Sequence, residues 1–193
     1  YDVQKGSIRV DGVDVRDMTQ KELRDKLGYV PQKGVLFSGT IDSNIRYGKP
    51  EITDAQVKEA AEVAQATEFI DTKPEKYESP VSQGGTNVSG GQKQRLSIAR
   101  AIAKDPEIFI FDDSFSALDF KTDSQLRKAL KEYTKDATTV IVAQRISTIL
   151  GADQIIVLDD GHMAGIGTHK ELMANCEVYQ QIARSQLSEE ELA

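Results

Sequence analysis

Polar and apolar residues alternate along Ser7-Ile8-Arg9-Val10, break at Asp11-Gly12 and resume at Val13-Asp14-Val15, which predicts a hairpin turning on Asp-Gly. Thr19-Gln20-Lys21-Glu22 has the spacing of a capping box opening a short helix, and Leu27-Gly28-Tyr29-Val30, stopped by Pro31, predicts a strand. A second box, Thr53-Asp54-Ala55-Gln56, precedes Val57, Ala60, Ala61 and Ala64, which share one face of a predicted helix. From about Thr72 to Gly91 the periodicity gives way to Pro74, Pro80, Gly84, Gly85, Gly90 and Gly91. That stretch predicts a long ordered loop or a boundary between subdomains.

Beyond it come a basic helix from about Gln92 to Lys104, an apolar strand Ile108 to Phe111, and a helix through Leu126 and Leu130. Strands follow at Thr138 to Val142 and Ile155 to Leu158, the latter leading into the turn Asp160-Gly161. Strands alternating with helices predict an α/β fold with a mainly parallel sheet covered on both faces.

Composition narrows the function. The 193 residues are 39% hydrophobic, enough for a real core, and no apolar run approaches the length of a membrane span. With 31 acidic residues against 24 basic and a net charge of -7, nucleic acid is excluded as a partner. One cysteine, Cys176, rules out an internal disulfide and fits a reducing compartment, as a packed or surface thiol. His162, in a hairpin turn, and His169, in the first turn of a helix capped by Thr168 and Glu171, read as exposed and give no transition-metal cluster. Without an initiator methionine or signal-peptide pattern, the chain reads as a fragment of something longer.

The chemistry gathers in a few strings. In Val88-Ser89-Gly90-Gly91-Gln92-Lys93-Gln94-Arg95, Ser89 can cap a helix with Gln92 reaching back, and Gly90 and Gly91 let backbone N–H groups approach an anion. Ile108-Phe109-Ile110-Phe111-Asp112-Asp113 is an apolar strand delivering carboxylates to the sheet edge where α/β folds bind ligands. The first string, continued by Leu96 to Arg100, resembles the signature motif of ABC transporter ATP-binding domains almost residue for residue, and the second resembles their Walker B strand. Tyr29-Val30-Pro31-Gln32 is similar to the Q-loop, Ser116-Ala117-Leu118-Asp119 to the D-loop, and Val142 to Thr148 to the switch segment. Val35 to Ile41, with Ser43-Asn44-Ile45, resembles the exporter branch. Ser79 to Asn87 stands where exporters contact the membrane domain, with Gln83 where many carry Glu.

The resemblance implies a P-loop NTPase core with a mainly parallel sheet, a small antiparallel β part and a helical subdomain, without its N-terminal strands and phosphate loop. It implies one truncated domain over residues 1–193. Residues 1–36 would be the β part and Q-loop, 37–104 the helical subdomain with the signature, and 105–193 the rest of the catalytic core. It implies ATP and Mg2+ as ligands, with Asp112 and Gln32 at the metal, Asp113, Gln144 and Gln32 catalytic, and Ser89, Gly90, Gly91, Gln92 and Asp119 facing nucleotide across a dimer interface.

Two departures matter. Where the family has Glu after the Walker B Asp, this chain has Asp113, one methylene short. A misplacement of about 1 Å can cost on the order of 100-fold. Where the family has His, this chain has Gln144, which can donate a hydrogen bond but carries no charge and shuttles no proton. The implied protein is a slowly hydrolysing half of an exporter at the cytoplasmic face of a cell membrane. It would have transmembrane helices upstream on the same polypeptide and a second, non-identical ABC ATP-binding domain as partner. A soluble ABC ATPase and a nucleotide-gated scaffold are the alternatives. No G-x-x-x-x-G-K-[ST] occurs in the sequence, which predicts that the chain alone binds ATP poorly.

Overall fold

The computed structural model describes residues 3–187, and the chain forms two compact units, residues 1–142 and 143–193. In the first unit, β1 (Arg9–Val10) and β2 (Val13–Asp14) pair antiparallel. Asp11 and Gly12 between them have φ of 50° and 81°, the doubly positive turn whose twist suits a hairpin. The predicted hairpin is present with shorter strands. Helix α1 (Gln20–Lys26) starts from Thr19 with both bonds of its capping box, and β3 (Leu27–Val30) follows directly.

The next stretch holds elements too short to leave a periodic signal. β4 (Gly39–Thr40) and α2 (Ile41–Ile45) come before the predicted Thr53-capped helix α3 (Asp54–Val63), and α4 (Thr67–Asp71) and β5 (Pro80–Val81) come after it. Pairing of β4 with β5 ties the Pro- and Gly-rich stretch back to the segment after Gln32. Helix α5 (Gly90–Ala103), capped by Ser89, begins two residues before the expected start at about Gln92. Then come β6 (Ile108–Asp112), α6 (Phe120–Tyr133) and β7 (Thr138–Val142).

The central sheet has the order β3-β6-β7 with all strands parallel, Val30 beside Phe111 and Asp112 beside Val142. One face explains most of the core. Val30, Phe109 and Phe111 are buried together with Leu96, Ile98 and Ile102 of α5, Val57 and Ala61 of α3, and Leu126 of α6. Because side chains alternate across a strand, burying Phe109 and Phe111 on that face sends Asp112 to the other, at the carboxyl end.

The second unit comprises α7 (Ile146–Ile149), the antiparallel pair β8 (Ile155–Asp159) and β9 (His162–Gly167), α8 (His169–Asn175) and α9 (Glu177–Gln186). Its own core includes Ile155, Val157, Leu172, Tyr179 and the buried Cys176. His169 corrects the sequence reading. It lies in the first turn of α8, capped as expected, but is half-buried, with Nδ1 2.8 Å from the Tyr179 hydroxyl. Among the described residues no helix is long and apolar enough to cross a membrane.

Candidate nucleotide-binding site

The carboxyl ends of β3 and β6 bring three of the predicted site residues together. β6 stops at Asp112, and the chain turns at Asp113 with φ of 43°, a left-handed conformation that Asp tolerates better than most residues. The Asp113 N–H donates to the Val142 carbonyl at 2.8 Å, carrying the pairing with β7 one residue past the strand. Ser114, buried, donates its hydroxyl to the Val30 carbonyl at 2.8 Å and fixes the turn to β3. Gln32 Nε2 then donates to Asp113 Oδ2 at 2.9 Å.

Asp112 has a partner that sequence reasoning missed. The Tyr29 hydroxyl donates to Asp112 Oδ2 at 3.0 Å. Tyr29 stands opposite Ile110 in the parallel register, so it shares a sheet face with Asp112 two positions on. Strand alternation and pairing order together would have found it. Burial, then the hydrogen bond to Asp112, pushes the Tyr29 phenol up, so it remains a donor.

At the signature, Ser89 Oγ accepts from the Gln92 N–H at 3.2 Å and Gln92 Oε1 accepts from the Ser89 N–H at 3.1 Å, a complete capping box. First-turn N–H groups of a helix lack carbonyl partners within it, and around Gly90 nothing stands within 4 Å of the place a Cβ would take. The turn is therefore an open, N–H-rich surface. A Cβ on Gly91 would stand 3.5 Å from the Ala117 carbonyl, so the signature turn adjoins the segment ending in Asp119. Asp119 caps α6, its Oδ1 accepting from the Thr122 N–H at 3.0 Å, and these bonds hold its carboxyl below the usual range.

Helix α5 contributes further residues behind the signature. Gln94, 1% exposed, holds the loop after Gln32. Arg95 donates to the Gln65 carbonyl at 2.8 Å and lies over the Phe69 ring, with its pKa lowered by burial. The signal for Gln94 was a polar residue in line with Ile98 and Ala101 on an apolar helix face. In the second unit, Gln144 accepts through its backbone carbonyl from Gln186 Nε2 at 2.8 Å, while Gln186 Oε1 accepts from the Ile146 N–H. One C-terminal side chain thus fixes the backbone on both sides of Arg145.

Asp112 and Gln32 offer the hard oxygen donors that Mg2+ prefers. Among the described residues no group of three or more His, Cys, Asp or Glu could hold a metal ion. This donor set fits Mg2+ brought in on nucleotide phosphates, and does not form an all-protein cage. A cleft of about 650 Å³, lined by Arg9, Asp105, Ile108, Tyr133 and Thr138 among others, sits at the opposite, amino end of the strands and contains none of the candidate site residues.

The parallel sheet, the carboxylates at its carboxyl end and the glycine-rich helix start define an α/β domain of the P-loop NTPase class. A family model described as ABC transporter matches residues 1–116. The chain belongs to the ABC transporter family, as an ATP-binding domain of the exporter type. It is 47% identical over 189 residues to an uncharacterized ABC transporter ATP-binding protein of Mycobacterium tuberculosis, covering 96% of this chain and 32% of that one. Over 182 residues it is 45% identical to a Staphylococcus aureus protein named for multidrug export ATP-binding and permease function, covering 94% and 32%. Among solved structures, a bacterial Atm1-family ABC exporter with ATP bound superposes with a TM-score of 0.93 at 40% identity, covering 98% of this chain and 33% of that one. The chain spans about a third of the length of these relatives.

Proposed function

We propose that the domain serves a heterodimeric exporter in two different ways. Its own nucleotide site, made of Asp112, Asp113, Gln32 and Gln144, holds magnesium-ATP and turns it over slowly. Its signature, Ser89 to Gln92, completes the site of a non-identical partner domain that does most of the hydrolysis. Transmembrane helices on the same polypeptide would couple that cycle to export.

The observation that carries this reading is the Asp113 carboxylate at 2.9 Å from Gln32 Nε2. A side chain one methylene shorter than Glu, already engaged by an amide and fixed on a tightly held turn, is poorly placed to polarise an attacking water. Gln144 leaves a neutral hydrogen-bond donor where a charged one would steady the γ-phosphate. Asp112 would hold Mg2+ through water, with the Tyr29 hydroxyl fixing one carboxylate oxygen. When bound, the ion would neutralise charge on the nucleotide phosphates. Ser89 and the Gly90 and Gly91 N–H groups orient the phosphate that the partner presents.

In the full-length assembly, Asp113→Glu combined with Gln144→His is expected to raise turnover about tenfold, since each restores a group aimed at the transition state. Steady-state phosphate release measures it, and turnover at the parental level would sink the slow-site reading. Magnesium-ATP titrated into the 193-residue chain alone is expected to show no site tighter than about 1 mM, roughly 4 kcal/mol of binding free energy. The cradle of backbone amides and its lysine are missing from this sequence. Calorimetry showing micromolar affinity would contradict that expectation.

A further inference from the structure

We infer that Gln94 is a positioning residue that locks the Gln32 loop onto the signature helix, so that any displacement of Gln32 carries Ser89 to Gln92 with it. This rests on the proposed division of labour between the domain's own site and the signature it lends.

The lock has three parts, all on consecutive turns of α5. The buried Gln94 amide spans the loop. Its Oε1 accepts from the Gly34 N–H at 2.9 Å and its Nε2 donates to the Pro31 carbonyl at 3.1 Å. Both bonds reach across Gln32 and Lys33, and a buried amide that makes both its donor and acceptor bonds loses a desolvation offset if either is removed. Gly34 itself lies hard against the helix. A Cβ there would stand 2.8 Å from Ser97 Oγ and 2.9 Å from the Lys93 carbonyl, so no larger residue fits without moving the loop. One turn further, Arg100 donates through Nη1 to the Val35 carbonyl at 2.8 Å and through Nε to the Asn44 carbonyl at 2.8 Å. Its guanidinium lies over the rings of Phe37 and Tyr47, which stack on each other.

The consequence follows from chain geometry. Gln32 touches Asp113 in the domain's own site, whereas Ser89 to Gln92 begin the helix that grips its loop. Gln94 is two residues from the signature's Gln92 and a hydrogen bond from either flank of Gln32. A loop bolted at Pro31, Gly34 and Val35 to a rigid helix moves with that helix as one body. The state of a slow nucleotide site thereby sets the position of the phosphate-binding turn that the partner's fast site requires. That gives a poorly hydrolysing site a regulatory use.

The test uses the full-length transporter assembled with its partner. Gln94→Met keeps side-chain volume and removes both bonds. It is expected to lower turnover at saturating magnesium-ATP about tenfold, by loosening a group that must be placed to within about 1 Å. The KM should change less than twofold and the melting temperature by only a few degrees. Gln94→Glu keeps the acceptor for Gly34 but sets a buried carboxylate oxygen against the Pro31 carbonyl, so its loss of turnover is expected to be at least as large as that of Gln94→Met. Gly34→Ala attacks the same lock from the loop side and is expected to reproduce the loss. Combined with Gln94→Met it should add little, because both break one contact. Parental turnover in a folded Gln94→Met assembly, or losses that multiply in the double variant, would overturn the inference. If the parental assembly shows no nucleotide-dependent turnover, the proposed function falls by itself. The lock is then read by amide exchange at Gly34, where lost protection in Gln94→Met with α5 still protected supports it and unchanged protection overturns it.

Discussion

Gly91→Asp in the full-length assembly is expected to cut ATP turnover by about 100-fold or more, the range seen when a preorganised oxyanion donor is disabled. The substitution leaves helix α5 intact for a physical reason. A carboxylate in the first turn is favoured by the helix macrodipole, and around Gly91 the nearest atoms to a new Cβ are the Ala117 carbonyl at 3.5 Å and a Leu118 methyl at 3.8 Å, ordinary contacts. The charge that suits the helix is the charge that repels a phosphate. Fold and binding are thereby separated in one variant. Circular dichroism and melting temperature should match the parent while phosphate release collapses. Because the domain's own site is proposed to be slow, so large a loss can arise only if the signature acts on the partner's nucleotide. A loss of less than twofold would show that the signature turn contacts no phosphate in the working assembly.

The largest effect on stability is expected at Phe111→Ala. Phe111 is 1% exposed on the central strand β6, lies parallel to the Phe109 ring at 6.0 Å and tilts against Phe115 at 5.4 Å. Truncating such a ring leaves a cavity that neighbours on both flanking strands cannot fill, at a cost of about 3–5 kcal/mol. That is a large share of the roughly 5–15 kcal/mol by which a domain is stable. Urea unfolding of the 193-residue chain should show a lower midpoint with an unchanged slope. A cost below about 1 kcal/mol would mean that β6 is not the packed centre of this unit.

What the sequence made legible was local. The boxes at Thr19, Thr53, Ser89 and Thr168 are each present with both bonds formed, because capping needs only residues three apart. The strands Leu27–Val30 and Thr138–Val142 fall where the apolar runs put them, and Ile108–Asp112 runs one residue further than its apolar run. Asp112, Asp113 and Gln32 were legible as motif residues, but their meeting at the ends of β3 and β6 depends on pairing across about eighty residues, which no window of sequence records. The same holds for Tyr29 and Gln94, whose partners Asp112 and Pro31 lie 83 and 63 residues away. Elements of two to five residues such as β5 and α2 were invisible because they are too short for the pattern that would announce them to repeat. The half-burial of His169 depends on Tyr179 in the following helix, and local spacing shows only the turn it starts in.

The capping box at Ser89 differs in one proton from those at Thr19, Thr53 and Thr168. At Thr19, Thr53 and Thr168 the capping hydroxyl both accepts from the backbone and donates its own hydrogen to Glu22, Gln56 or Glu171. At Ser89 the hydroxyl oxygen accepts from the Gln92 N–H, and among the described residues the hydroxyl hydrogen is given to none. A serine hydroxyl has one hydrogen to give and two lone pairs, so the helix start is secured entirely with the lone pairs. The hydrogen would remain for the phosphate of the proposed function, and the helix need not fray to offer it. On the proposed role of the signature, arrival and departure of a phosphate would then cost this turn no rearrangement.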